Sequence, residues 1–90
     1  MIHIAIVEDE KSYIKQLTEY IDRFSREFSQ EIKLSVFTDG DEILEKYTAD
    51  YDIILLDIQM QFIDGMTAAE KIREMDKSVV IMFITNMTSY

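Results

Sequence analysis

The chain has 90 residues and a mass of 10.6 kDa, and 48% of its residues are apolar, enough for one small core and too few residues for two modules. Eighteen Asp and Glu against nine Lys and Arg give a net charge of −9, which excludes a nucleic-acid interface on this segment and disfavours an anionic membrane surface. The absence of cysteine and the single histidine, His3, exclude a disulfide framework, thiolate chemistry and a multi-His zinc site, and leave chemistry built on carboxylates open.

The first apolar run, Ile2–Val7, is followed by Ile14, Leu17, Ile21, Phe24 and Phe28, whose alternating steps of three and four mark one stripe of a long amphipathic helix. Tyr20, Phe24 and Phe28 are read as core on that stripe, and Glu19, Asp22, Arg23, Arg26 and Glu27 as its solvated face. A second run, Ile32–Phe37, leads into a shorter helix carrying Ile43, Leu44 and Tyr47, with Asp39 and Glu42 as its N-terminal capping pair. The third run, Tyr51–Leu56, precedes a helix with Met66, Ala69, Ile72 and Met75 on one stripe, capped by Asp64 or by Thr67 with Glu70. The fourth run is Val79–Ile84. Unbroken apolar runs rich in β-branched residues suit strands buried on both faces. No run reaches the roughly 18 residues of a membrane-spanning helix. No signal peptide precedes the first strand, so the cytoplasm is the expected compartment.

Strict strand–helix alternation predicts an α/β fold with a parallel sheet and helices on both faces. Ligands of such sheets bind outside the carboxyl ends of the strands. There the chain places Glu8-Asp9-Glu10 after the first strand, Asp57 after the third and Thr85-Asn86 after the fourth. Adjacent strands would bring Glu8, Asp9 and Asp57 to one rim. Acids at strand ends also arise because loops are solvated; three on a shared rim are what call for a cation. Two like charges about 5 Å apart cost on the order of 3 kcal/mol at an effective dielectric near 20, and a bound cation removes that cost. An all-oxygen donor set points to Mg2+, with Ca2+ or Mn2+ as alternatives. Asp57 could act as a carboxylate nucleophile in aspartyl-phosphate chemistry, with Thr85 bonding a phosphoryl oxygen. His3, at the start of the first strand and far from this rim, is read as a packed residue.

The segments Ile4-Ala5-Ile6-Val7-Glu8-Asp9-Glu10, Ile54-Leu55-Leu56-Asp57-Ile58-Gln59-Met60, Asp64-Gly65-Met66 and Phe83-Ile84-Thr85-Asn86 occur in this order along the whole chain. Together they resemble the CheY-like receiver domain of two-component response regulators. The ending Phe83-Ile84-Thr85-Asn86-Met87 is most similar to receivers attached to LytTR-type DNA-binding domains. The resemblance implies a flavodoxin-like, doubly wound sheet of order 2-1-3-4 with its fifth strand missing. It implies Asp57 as the phosphoacceptor, Asp9 as direct Mg2+ ligand, Glu8 as its acidic partner, the Gln59 backbone carbonyl as a further ligand, and Thr85 as the switch hydroxyl. The implied donor is a phosphohistidine on a sensor histidine kinase, and the implied output is a DNA-binding domain outside residues 1–90.

Two departures stand out. Gln61 occupies the place where the family usually has proline. Lys11, Lys15, Lys33, Lys46, Lys71 and Lys77 all precede the end of the fourth strand, so none matches the family's phosphoryl-neutralising lysine. The chain is therefore expected to be a C-terminally truncated receiver, lacking the final helix, strand and helix, and to self-associate or swap elements through its exposed fourth strand. It is expected to be a signalling domain without turnover of a diffusible substrate. A haloacid-dehalogenase-like phosphatase would need a second aspartate where Gln59 stands; an FMN binder would need a phosphate loop where Glu8-Asp9-Glu10 stands. A pure interaction module remains the third alternative, with Phe62 as a candidate partner contact.

Overall fold

The computed structural model describes residues 1–60 and 63–85; Gln61, Phe62, Asn86 and Met87 lie outside them. The elements are β1 (Ile2–Val7), α1 (Lys11–Glu27), β2 (Ile32–Phe37), α2 (Gly40–Glu45), β3 (Ile53–Asp57), α3 (Gly65–Met75) and β4 (Val80–Ile84). All three strand pairings are parallel and the sheet order is β2-β1-β3-β4, as expected from the strict alternation and the family resemblance.

β3 and β4 start later than the apolar runs that announce them, for a local reason in each case. Tyr51 turns its ring into the core, edge-on to Phe37 and tilted against His3 and Tyr47. Asp52 then closes a two-way link with β1, its N–H donating to the His3 carbonyl and its Oδ2 accepting from the His3 N–H, each at 2.8 Å. The Val79 N–H is taken by Asp76 Oδ1 at 3.3 Å, which leaves its side chain buried just before β4 begins. His3 is buried as expected, with Nε2 2.7 Å from Ser35 Oγ on β2.

Two of the helices start on side-chain caps, a favourable use of otherwise orphaned amides. Asp39 Oδ1 accepts from the Glu42 N–H at 2.9 Å and Asp64 Oδ1 from the Thr67 N–H at 2.8 Å. Tyr47 lies just beyond α2, and its hydroxyl donates to Asp76 Oδ2 at 2.6 Å, tying the ends of α2 and α3 together. Burial and this bond push the Tyr47 phenol above its ordinary range.

The two faces of the sheet are packed very differently. On one, Ala5, Val7, Phe37, Ile54 and Leu56 form a closed core with Ile43 of α2 and Ala68, Ala69 and Ile72 of α3. The buried face of α3 runs through Gly65, Ala68, Ala69 and Ile72, while Met66 and Met75 of the expected stripe are exposed. Small residues are what allow this helix to approach the sheet closely. On the other face α1 is the one helix among the described residues, and none of its own residues is fully buried. The core reading of Tyr20, Phe24 and Phe28 is corrected: all three are about half exposed or more. One helix cannot cover four strands, and an open apolar groove of about 360 Å³ runs between Tyr20 and Phe24 of α1 and Ile53, Leu55 and Met82 of the sheet. β4 is likewise not buried on both faces, since it is an edge strand with Val80, Met82 and Phe83 exposed.

This asymmetry predicts unequal costs of truncation. Ile54→Ala empties a fully buried site and should cost about 2–5 kcal/mol in urea unfolding. Phe24→Ala removes a ring that is 48% exposed and should cost about 1 kcal/mol or less. Equal losses at the two positions would contradict the asymmetry.

Candidate functional site

β1 delivers its acids by continuing one residue past its last paired position. The Glu8 N–H donates to the Phe37 carbonyl at 3.0 Å, which holds Glu8 against the sheet before the chain turns away into α1. Its side chain is only 1% exposed. Oε1 accepts from the Glu10 N–H at 3.1 Å, whereas Oε2 has no hydrogen-bond partner. Asp57 ends β3, lies opposite Ile84 of β4 and is 3% exposed. Its Oδ1 accepts from the Gln59 N–H at 3.2 Å. Asp9 is exposed. Glu8, Asp9 and Asp57 each present one carboxylate oxygen, all within 4.8 Å of one another. Among the described residues none of the three is in a salt bridge.

Burial first, then the neighbouring Asp57 carboxyl, pushes Glu8 up to about 8, against a smaller opposing effect of the Glu10 amide; the charge on Asp9 adds to the rise. Its carboxyl is therefore largely protonated at neutral pH unless a cation takes the proton's place. An orphaned buried carboxylate oxygen beside two further carboxylates is a donor set that fits a hard divalent cation. Glu8, Asp9 and Asp57 are the side chains that could hold it.

The other expected residues meet the rim through main-chain atoms. Gln59 enters by the amide that bonds Asp57. Thr85 follows β4 and is exposed; its carbonyl, rather than its hydroxyl, makes the contact described here, accepting from the Tyr13 hydroxyl at 3.2 Å. His3 sits at the opposite end of β1, so it takes no part.

Two residues of this region had no role assigned from the sequence. Tyr13 carries no motif, and only the topology shows that its hydroxyl reaches β4. Gly65 reads as a turn residue, yet it starts α3 hard against the phosphoacceptor candidate. Its N–H donates to the Ile58 carbonyl at 2.8 Å. A Cβ at this position would run into the Asp57 carbonyl oxygen and stand 2.8 Å from Ile58 Cα, so no side chain fits without moving the backbone that carries Asp57. The Asp-Gly pair is the only sequence signal that could have marked it.

Comparison with known proteins gives a consistent picture. A family model described as the response regulator receiver domain matches residues 4–90. Among curated proteins, the chain is 34% identical over 92 residues to the sensory transduction protein LytT of Oceanobacillus iheyensis, and 27% identical over 88 residues to the response regulator SaeR of Staphylococcus epidermidis. These alignments cover 99% and 98% of the chain but 36% of each relative, so the chain spans about a third of their length. Among solved structures it is similar to the CheX–CheY complex with BeF3 and Mg2+ from Borrelia burgdorferi, with a TM-score of 0.78 and 31% identity over 93% of this chain and 61% of that one. It is also similar to a chain of the complex between histidine kinase ThkA and response regulator TrrA, with a TM-score of 0.75 and 32% identity over 100% of this chain and 73% of that one.

The Glu8 shift fixes a sign for stability against pH. Glu8 keeps its proton in the folded chain above the value of 4.5 at which an ordinary glutamate loses it, so stability is complete below about 4.5 and is lost as pH rises toward about 8. Thermal unfolding without divalent cations should weaken across that window, by up to about 1 kcal/mol per pH unit. Glu8→Gln should flatten the profile, and a wild-type profile that is already flat would refute the assignment. Gly65→Ala should destabilise the fold by at least about 2 kcal/mol in urea titration, since the backbone must move to admit a methyl group.

Proposed function

The chain belongs to the response regulator receiver domain family, and from that premise we propose that it takes a phosphoryl group onto Asp57 from a phosphohistidine of a sensor kinase. In this reading an Asp57 carboxylate oxygen forms a bond to phosphorus as the bond from phosphorus to the imidazole nitrogen breaks, and the histidine leaves as the neutral ring after proton uptake. Later attack by water at phosphorus returns inorganic phosphate and the free Asp57 carboxylate. The chain is thus a component of a signalling protein, and its chemistry ends on itself.

The observation that carries the proposal is the cluster of Glu8, Asp9 and Asp57 on one rim with an unpartnered buried oxygen on Glu8. In this reading Asp9 and Asp57 hold Mg2+ directly, Glu8 completes the acidic set, and the Gln59 carbonyl supplies a further oxygen. The cation, when bound, neutralises charge on the phosphoryl oxygens. The Gln59 amide steadies one oxygen of Asp57 and leaves the other for attack. Thr85 then follows the phosphoryl group with its hydroxyl and carries the change into β4.

The kinase partner is supported by the likeness to a chain of the ThkA–TrrA complex, and a LytTR-type, DNA-binding output by the likeness to LytT. That output belongs to sequence outside residues 1–90, because the acidic balance gives this segment no basic face. Self-association has support in the exposed edge strand β4 and the half-exposed rings of α1. No helix among the described residues is long and apolar enough to cross a membrane, which accords with a proposed cytoplasmic setting. The haloacid-dehalogenase-like alternative is disfavoured by Gln59, which offers an amide where that chemistry needs an acid.

Incubation with acetyl phosphate and Mg2+ should add the mass of one phosphoryl group, a gain absent when the cation is chelated beforehand and absent in Asp57→Asn. A wild-type chain without the gain, or a gain that survives Asp57→Asn, overturns the proposal; sustained release of phosphate from many equivalents of substrate would favour the phosphatase instead.

A further inference from the structure

We propose that Tyr13 is a positioning residue of the phosphoacceptor site, whose hydroxyl fastens the carboxyl end of β4 across the strand that carries Asp57 and thereby opposes the movement of Thr85. The inference rests on the reading of Asp57 as phosphoacceptor and Thr85 as switch hydroxyl, and it adds a residue that neither the acidic cluster nor the family motifs include.

The geometry comes from topology. Tyr13 lies in the first turns of α1, which leaves the carboxyl end of β1. Its hydroxyl donates to the Thr85 carbonyl at 3.2 Å, 72 residues away and just beyond β4. β1 and β4 are not neighbours; β3 lies between them. With strands about 4.8 Å apart, a link from one to the other spans roughly 10 Å and passes the carboxyl end of β3. The last residue of β3 is Asp57. The phenol therefore bridges the strand on which phosphorylation is expected.

The electrostatics agree with that placement. Burial, followed by the charges of Glu8 and Asp57, pushes the Tyr13 phenol above its ordinary value. Both carboxyls thus act on this ring, and the hydroxyl stays protonated and able to donate throughout the working pH range. At the other end of the link, the Ile58 N–H donates to the Ile84 carbonyl at 3.2 Å, the bond nearest Thr85 that joins β3 to β4 among the described residues. Thr85 lies one residue past that bond and is exposed, so the Tyr13 bond acts just beyond β4.

A donor on the Thr85 carbonyl restrains the backbone that carries the Thr85 hydroxyl, so any backbone shift that draws the hydroxyl toward Asp57 works against this bond. The bond thus favours the resting position. A hydrogen bond of ordinary net strength biases such an equilibrium by roughly two- to tenfold.

The test uses the full chain and beryllofluoride with Mg2+ as a stable phosphoryl mimic, titrated by NMR through the Thr85 amide. Tyr13→Phe should bind the mimic roughly two- to tenfold more tightly than wild type. In a Thr85→Ala background, which keeps the carbonyl but has no hydroxyl to draw in, the same substitution should change affinity less than twofold. Tyr20→Phe, which removes a hydroxyl that accepts from Gln16 within α1 and has no bond to Thr85, should match wild type and control for loss of a phenol. Equal affinities of wild type and Tyr13→Phe, or an equal gain with and without the Thr85 hydroxyl, would overturn the positioning role while leaving the phosphoacceptor reading intact. A wild-type chain that binds no mimic and takes no phosphoryl group from acetyl phosphate would overturn both.

Discussion

Glu8 and Asp57 lie almost wholly out of water at the ends of adjacent strands, and among the described residues no salt bridge offsets either one. Two carboxyls so placed cannot both stay charged without something between them. Much of the surrounding structure answers this constraint. Backbone amides of Glu10 and Gln59 each serve one oxygen, Asp9 turns outward to solvent, and Glu8 retains a proton well into neutral pH. The arrangement is costly as it stands, and a divalent cation in place of the proton would offset that cost, so cation affinity and fold stability would be linked.

The rest of the sheet serves this rim unequally. The α2–α3 face is closed by small and branched residues, and it backs Asp57 through Gly65, which lies against the Asp57 and Ile58 backbone. The α1 face is open, with aromatic rings partly in water above Ile53 and Leu55. The opposite end of β1 is pinned by His3, which joins Ser35 of β2 to the Asp52 segment that leads into β3. Packing is therefore densest on the α2–α3 side, and the amino ends of the strands are tied together by side-chain and backbone bonds.

Most of this was legible in the sequence because the signals were redundant. Four apolar runs separated by helical stripes leave little choice but a parallel sheet, and strand-end acids in such a sheet must converge. The capping roles of Asp39 and Asp64 were equally readable, since an acid three residues before a free amide has a local geometry. Burial was less readable. Phe24 and Phe28 have the spacing of core residues, but spacing says which face of a helix is apolar and not whether another element covers it. The starts of β3 and β4 were misplaced because Tyr51 and Val79 are apolar for packing in loops, not for pairing. Tyr13 was invisible because its role depends on strand order; Gly65 stood in a recognised segment, but its close approach to Asp57 leaves no periodic trace.

The absence of a side chain at Gly65 has a mechanical consequence. With α3 seated against the peptide of Asp57 and Ile58, the start of that helix and the end of β3 are geared together without slack. A group added to Asp57 thus meets a stiff wall on the α3 side. On the β4 side it meets one hydrogen bond from a tyrosine and an exposed threonine. On the proposed reading, a displacement at this carboxylate would find less resistance toward β4 than toward α3, so the unyielding side of the fold would set the direction of any signal.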